Sequence, residues 1–254
     1  MKILFLGTGA ATGVPSLCCN CEVCRSGDPK NKRLRASVLF QDGGHNVLID
    51  TSTDLRQQCL AHGIKDIYGV LYTHPHADHV HGIDELRNFT YFNKTAIPCY
   101  GNEMTLDAIK RNFSYIFNGI KPEGGALPQL SLHPVATEPF SLGGMTISPL
   151  EVYHGSASIL GYKIGNAVYI TDCSKIPPAT IDKIRGIGLL ILNSLGYAPH
   201  PTHFCLDQAL GVAGEINPKR TILTHIGHQY DHAKVNRELP ANVELAYDGM
   251  SVEV

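Results

Sequence analysis

The sequence predicts an α/β layered fold, two stacked sheets covered by helices, and three observations carry that prediction. Short apolar runs alternate with segments of helical spacing along most of the 254 residues. Two of the runs, Gly69 to Tyr72 and Thr221 to Leu223, lead into the same pair of residue types, Thr73-His74 and Thr224-His225. Finally, 43% of the chain is hydrophobic, enough for a substantial core, and the length suits one domain over residues 1–254.

The charge balance narrows the function classes. A formal net charge of −2 and a pI near 6.7 supply no broad basic surface, which argues against a mainly electrostatic nucleic-acid binder. Small anionic substrates stay open, since metal ions can supply local positive charge. The apolar run in Met1 to Gly7 is far too short for a signal peptide, and no later run approaches the roughly 20 residues of a membrane span. The expectation is a cytoplasmic protein with no membrane partner.

Taken in order, Lys2 to Leu6 reads as a buried strand and Gly7-Thr8-Gly9-Ala10-Ala11-Thr12-Gly13 as the turn after it. The spacing is neither a Walker loop nor a full GxGxxG opening a helix, because Pro15 and a cysteine cluster interrupt. A loop packed close to an active site is therefore expected over a nucleotide cradle. Residues 18–24 hold Cys18 and a Cys-x-Cys-x-x-Cys subset at Cys19, Cys21 and Cys24. Three thiolates on a short loop can wrap a structural zinc ion and leave one tetrahedral position for a distant ligand; the competing reading is a set of free buried thiols. Cys59, Cys99, Cys173 and Cys205 are scattered, and clustering in a reducing compartment favours metal over disulfides.

Ser37 to Phe40 and Asn46 to Ile49 flank Asp42-Gly43-Gly44 as a hairpin, and Asp54 to His62 suits a short helix closed by Gly63. Asp50 ends the second strand at the edge where His74 emerges. It reads either as a partner orienting a metal-bound histidine or as a turn residue.

The densest chemistry lies in Val70 to Gly82, VLYTHPHADHVHG, where His74, His76, Asp78 and His79 crowd into the loop after an apolar strand. Imidazole nitrogens and a carboxylate suit zinc, manganese or iron. The first two histidines can serve one ion and the Asp-His pair another, so the loop reads as half of a dinuclear site. His81 lies outside the spacing.

Beyond it, Ile83 to Phe89 and Glu103 to Phe117 have helical spacing around a short strand at Ile97 to Tyr100. Asn118 to Gln129 is expected to cover or border the site as a loop, with Phe113, Tyr115 and Phe117 as packed core or rim. Met145 to Leu150, Leu160 to Ile164 and Ala167 to Ile170 read as strands. His154, just after the first, can complete a three-histidine set, and Asp172, just after the third, can bridge two ions. Pro177 to Ile184 and Leu206 to Ile216 read as helices and Leu189 to Leu192 as a strand, while His225 follows Thr221 to Leu223 as the last ligand of the second ion.

His74, His76, Asp78, His79, His154, Asp172 and His225, met in this order, resemble the metallo-β-lactamase superfamily over nearly the whole chain. The resemblance implies an αββα sandwich with a dinuclear site along one edge. It implies His74, His76 and His154 on one ion, Asp78, His79 and His225 on the other, and Asp172 bridging. Aspartate rather than cysteine at Asp172 resembles the phosphodiesterase and glyoxalase branches.

FLGTGAATGVPS, the cysteine cluster, Thr202-His203-Phe204-Cys205-Leu206, the THIGHQYD run and Tyr247-Asp248-Gly249-Met250 are similar to the phosphoribosyl 1,2-cyclic phosphate phosphodiesterase family of the carbon-phosphorus lyase pathway. That similarity implies His228 as the fourth ligand of a structural zinc with Cys19, Cys21 and Cys24. It implies a catalytic role for His203, placed before the last helix, and a homodimer; Asp78 is expected to act in catalysis as well as in metal binding. Cys18 and the segment Asn193 to Pro201 depart from the family, which leaves the substrate more open than the reaction.

The expected activity is metal-dependent hydrolysis of a small cyclic phosphodiester, phosphoribosyl 1,2-cyclic phosphate, by a hydroxide bridging two divalent ions (manganese, zinc or iron). His203 would protonate the leaving ribose oxygen or hold a phosphoryl oxygen. Competing readings are a tRNA 3′-end endonuclease, for which no long basic arm is evident, a glyoxalase II-like acyl or thioester hydrolase, and a non-enzymatic structural zinc protein with a vestigial histidine loop. A flavodiiron oxidoreductase would require a flavodoxin-like domain.

Overall fold

The computed structural model describes residues 1–120, 123 and 125–254. Two seven-stranded sheets pack face to face. The first contains β1 (Lys2–Gly7), β2 (Ser37–Asp42), β3 (His45–Ile49), β4 (Gly69–Leu71), β5 (Ile97–Gly101), β6 (Leu130–Pro134) and, returning from the C-terminus, β14 (Ser251–Glu253). The second contains β7 (Phe140–Leu142), β8 (Met145–His154), β9 (Ala157–Ile164), β10 (Ala167–Ile170), β11 (Leu189–Asn193), β12 (Arg220–Thr224) and β13 (Val243–Leu245). Their orders are β14-β1-β2-β3-β4-β5-β6 and β13-β12-β11-β10-β9-β8-β7. In each sheet an antiparallel hairpin region gives way to parallel strands, at β3–β4 in the first and β10–β11 in the second.

Period-two burial on both faces explains the layering. Val38, Phe40, Val47 and Ile49 meet Ile147, Tyr162, Tyr169 and Ile191 between the sheets. The alternate positions Leu39, Leu48 and Val70 face α2 (Leu55–Ala61), α4 (Leu86–Asn93) and α5 (Glu103–Asn112) through Leu55, Leu86, Leu106 and Ile109. On the other side Val168, Leu190, Leu192 and Leu223 face α7 (Pro178–Ile184), α8 (Leu206–Ile216) and α9 (His232–Glu238) through Ile181, Ala209, Ala213 and Val235. Each such aliphatic side chain contributes about 1.5–3 kcal/mol on burial. The four layers are those of the expected αββα sandwich.

Several boundaries differ from the expectation. Asp78 and His79 sit on a single helical turn, α3 (Ala77–Val80), rather than in a loop. The helix expected from Glu103 to Phe117 breaks at Phe113 (φ −116°, ψ 41°), which separates α5 from α6 (Ser114–Phe117). His154 ends β8 instead of following it, and α9 lies beyond α8, so His203 precedes the second-to-last helix. The segment Asn118 to Gln129, expected as a loop beside the site, lies in part outside the described residues. Phe113 and Phe117 pack against the first helical layer, whereas Tyr115 is exposed and donates to Asp84. No helix among the described residues is long and apolar enough to cross a membrane.

Candidate metal centre

The chemistry-bearing residues gather where parallel strands end. Asp50 follows β3, His74 lies just beyond β4, Asp172 beyond β10 and His225 directly after β12. Three of them, Asp50 (φ 62°), Asp172 (φ 57°) and His225 (φ 53°), adopt left-handed backbone that non-glycine residues rarely take. That conformation costs on the order of 1–3 kcal/mol per residue, and it recurs at three of the strand ends that carry the chemistry-bearing residues. The seam is also tied directly: the Tyr162 hydroxyl donates to Tyr72 O at 2.7 Å and the Leu160 amide to Thr73 O at 3.1 Å.

The seven residues converge. His74, His76, His154 and Asp172 form one set whose donor atoms all lie within 4.8 Å of one another, and Asp78, His79, His225 and Asp172 form a second. Asp172 belongs to both, with Oδ2 3.4 Å from His74 Nε2 and 3.3 Å from His79 Nε2, and Oδ1 3.0 Å from His225 Nε2. His81 joins neither; it is exposed and meets the Phe113 ring edge-on.

A surrounding set of acceptors fixes the imidazole tautomers. His79 Nδ1 donates to Asp50 Oδ2 at 2.7 Å. The Thr73 hydroxyl donates to the same oxygen at 2.8 Å and lies 3.0 Å from His74 Nδ1, while Asp50 Oδ1 accepts the Thr73 amide. His154 Nδ1 donates to Thr202 O at 2.9 Å. Each ring is thereby held at Nδ1 with its Nε2 turned to the centre, the arrangement that metal-binding histidines use.

Electrostatics favour a cation there. Burial, then the neighbouring His79, lowers His74 to about 4. Burial would lower His79 too, but Asp172, Asp50 and Asp78 together outweigh it and hold that ring well above its ordinary value. Burial opposes ionisation of Asp172 and Asp78, yet the adjacent histidines hold both carboxyls below the usual range. His74 Nε2, His79 Nε2, His225 Nε2 and Asp78 Oδ2 are buried without a hydrogen-bond partner. Orphaned polar atoms of this kind are costly in a folded core, and two divalent ions would satisfy all four, so the residues fit the metals the fold implies.

A second cluster stands three residues downstream of His225. Cys19, Cys21 and Cys24 place their sulfurs 3.2, 3.5 and 3.6 Å from His228 Nδ1. Cys21 caps α1 (Glu22–Arg25) and accepts the Cys24 amide at 3.4 Å. That amide, followed by the His228 ring, draws the Cys21 thiol down to about 6, whereas burial pushes Cys24 up to about 11. The set could hold one tetrahedral ion. Cys18 stays exposed and outside it.

The glycine-rich turn links the two clusters. Thr8 O accepts the Ile226 amide at 2.8 Å, and the Ala10 amide donates to Ile226 O at 3.0 Å, so the turn braces the loop between His225 and His228. At Gly7 a Cβ would fall 2.0 Å from Arg35 O, which only glycine avoids. Beneath the turn, buried Arg33 donates to the Thr8 hydroxyl at 2.7 Å, and that hydroxyl donates to Asp248 Oδ1 at 2.7 Å. Burial pushes Asp248 up to about 6 and Arg33 down to about 10.

His203 lies against both sets. Its half-buried ring stacks on His225 with centroids 5.0 Å apart and stands edge-on to His154 at 4.9 Å. Burial lowers it to about 3. Reading of the residues alone left two contributions open: Asp50, an isolated acid at a strand end, and Thr202, which acts through its backbone carbonyl and so leaves no mark in the sequence.

A profile of the beta-lactamase superfamily domain matches residues 45–226. A solved structure of a diphosphatase from the PhnP family superposes with a TM-score of 0.93 at 41% identity, covering 100% of this chain and 97% of that one. An octanoyltransferase of Porphyromonas gingivalis is 38% identical over 98% of this chain but 51% of its own length. A coenzyme PQQ synthesis protein B of Rhodopseudomonas palustris is 29% identical over 60% of this chain and 52% of that protein. The chain thus spans about half the length of these curated relatives.

Proposed function

This chain belongs to the beta-lactamase superfamily, and from that premise we propose that it is a divalent-metal-dependent phosphodiesterase acting on a small cyclic phosphodiester, phosphoribosyl 1,2-cyclic phosphate being the favoured substrate. The observation that carries the reading is the convergence of two three-residue sets on Asp172, with the His203 ring packed against a member of each. The 41% identity to a diphosphatase of the PhnP family supports phosphoryl chemistry. Other relatives bear names as different as octanoyltransferase and coenzyme PQQ synthesis protein B, and the first of these is about twice as long as the match.

In this reading His74, His76 and His154 would hold one ion and Asp78, His79 and His225 the other, with Asp172 common to both sets; zinc, manganese and iron all suit the donors. Cys19, Cys21, Cys24 and His228 hold a structural zinc. Bound in the two sets, such ions would lower the pKa of a shared water toward about 7 and neutralise charge on phosphoryl oxygens. Asp50, directly for His79 and through Thr73 for His74, keeps the donor nitrogens aimed at the centre. Asp78 contributes a carboxylate oxygen 3.1 Å from His79 Nε2. His203, packed against His154 and His225, would either give a proton to the leaving ribose oxygen or hold a phosphoryl oxygen by a hydrogen bond.

The test is a turnover panel with the metal-loaded protein: phosphoribosyl 1,2-cyclic phosphate, a nucleoside 2′,3′-cyclic phosphate, an aryl phosphodiester and a thioester. Turnover of the cyclic esters is expected; turnover of the thioester alone would replace the phosphodiesterase reading with an acyl hydrolase.

A further inference from the structure

Three imidazoles step outward from the buried centre. His225 is buried, the half-buried His203 ring stacks on it at 5.0 Å, and the exposed His200 ring lies another 5.0 Å from His203. His200 stands between Pro199 and Pro201, whose rings restrict the local backbone. Its ring is also anchored: the Thr202 amide donates to His200 Nδ1 at 3.3 Å, and the Thr202 hydroxyl lies 3.1 Å from the same nitrogen. A backbone N–H can only donate, so Nδ1 carries the lone pair and the ring hydrogen sits on Nε2.

Thr202 is held in turn. Its carbonyl accepts from His154 Nδ1 at 2.9 Å, and at Gly155 (φ 62°) any Cβ would come within 3.0 Å of Thr202 Cγ2. One threonine therefore sets the tautomer of a buried histidine in the centre and of an exposed one at its mouth. The exposed His200 ring is thus held at Nδ1, with its one N–H on Nε2, for which no partner is found among the described residues.

We propose that His200 is a specificity-determining residue that donates from Nε2 to an oxygen of the leaving group, favouring phosphodiesters of sugars that carry hydroxyl or phosphate oxygens over those of simple phenols. The inference rests on the phosphodiesterase reading, in which His203 faces the leaving oxygen and His200, one ring further out, meets an oxygen a few bonds along the sugar.

The experiment compares wild type, His200→Ala and His200→Gln, metal-loaded, on phosphoribosyl 1,2-cyclic phosphate, a nucleoside 2′,3′-cyclic phosphate and bis(4-nitrophenyl) phosphate, with kcat and KM separated. His200→Ala is expected to lower kcat/KM for the sugar esters about tenfold more than for the aryl ester, mainly through KM. His200→Gln, which keeps an N–H donor at similar reach, recovers part of the loss. Equal losses on all substrates, no loss, or a glutamine variant no better than alanine would overturn the proposal. A wild-type protein that hydrolyses only the aryl ester overturns it and leaves the phosphodiesterase reading standing; one inactive on all three removes both.

Discussion

Asp50 Oδ2 lies 2.7 Å from His79 Nδ1, and the same oxygen receives the Thr73 hydroxyl that sits against His74 Nδ1. A single fully buried carboxylate thus orients one histidine from each half of the centre.

Asp50→Ala is therefore expected to weaken both ions together. Partners of this kind are worth about 10–100-fold in metal affinity or activity. Titration of metal content against a competing chelator checks this; loss of one ion with the other retained at wild-type affinity would contradict the shared role.

His203→Ala should leave metal content unchanged and lower kcat on a cyclic phosphodiester by about 10²–10⁴-fold, the range of a positioned proton donor. Metal analysis beside single-substrate kinetics decides it, and unchanged turnover removes His203 from the mechanism.

Cys21→Ser is expected to bring metal content from about three ions per chain to about two and to lower Tm, since structural zinc contributes folding free energy directly. Intrinsic turnover per remaining active-site pair should change less than stability. Retention of the third ion with loss of the other two would reverse the assignment of the clusters.

Asp248 supplies a pH prediction. Its folded pKa, near 6, stands above the ordinary carboxyl value of 3.8, so its contribution to stability is complete below about pH 4 and lost as pH rises through 6. A shift of this size corresponds to about 3 kcal/mol. Asp248→Asn cannot ionise and should gain on wild type between pH 4.5 and pH 7 in urea denaturation; a constant difference across that interval would contradict the raised pKa.

The parts of the molecule legible in the sequence are those where burial on two faces leaves a continuous apolar run. The strands ending at Asp50, His74, Asp172 and His225 are of this kind, and a metal-capable residue directly after such a run stands out against it. Edge strands give no such contrast: β6 is half exposed and ends in Pro134, and β13 and β14 are three residues each. Helix α9 escaped because only His232 and Val235 of its seven residues are buried. The break at Phe113 escaped because apolar spacing continues across it. Asp50 was ambiguous because spacing gives its place on the edge but not its partner, which depends on how β3 and β4 pair. His200 lies between Pro199 and Pro201, and its contact with His203 comes from the bends at 201–203, which spacing does not encode.

The cysteine cluster meets His228 across 209 residues of chain. In polymer terms, an ion held there is a reversible cross-link that closes most of the chain into a loop. Closing a loop of that length costs roughly 5 kcal/mol of chain entropy on the chain-statistics estimate, a cost the folded chain has already met before the ion binds. The fold alone brings these four ligands together, so an unfolded chain would release the ion, its binding free energy would count as folding free energy, and Tm would depend on the free zinc concentration.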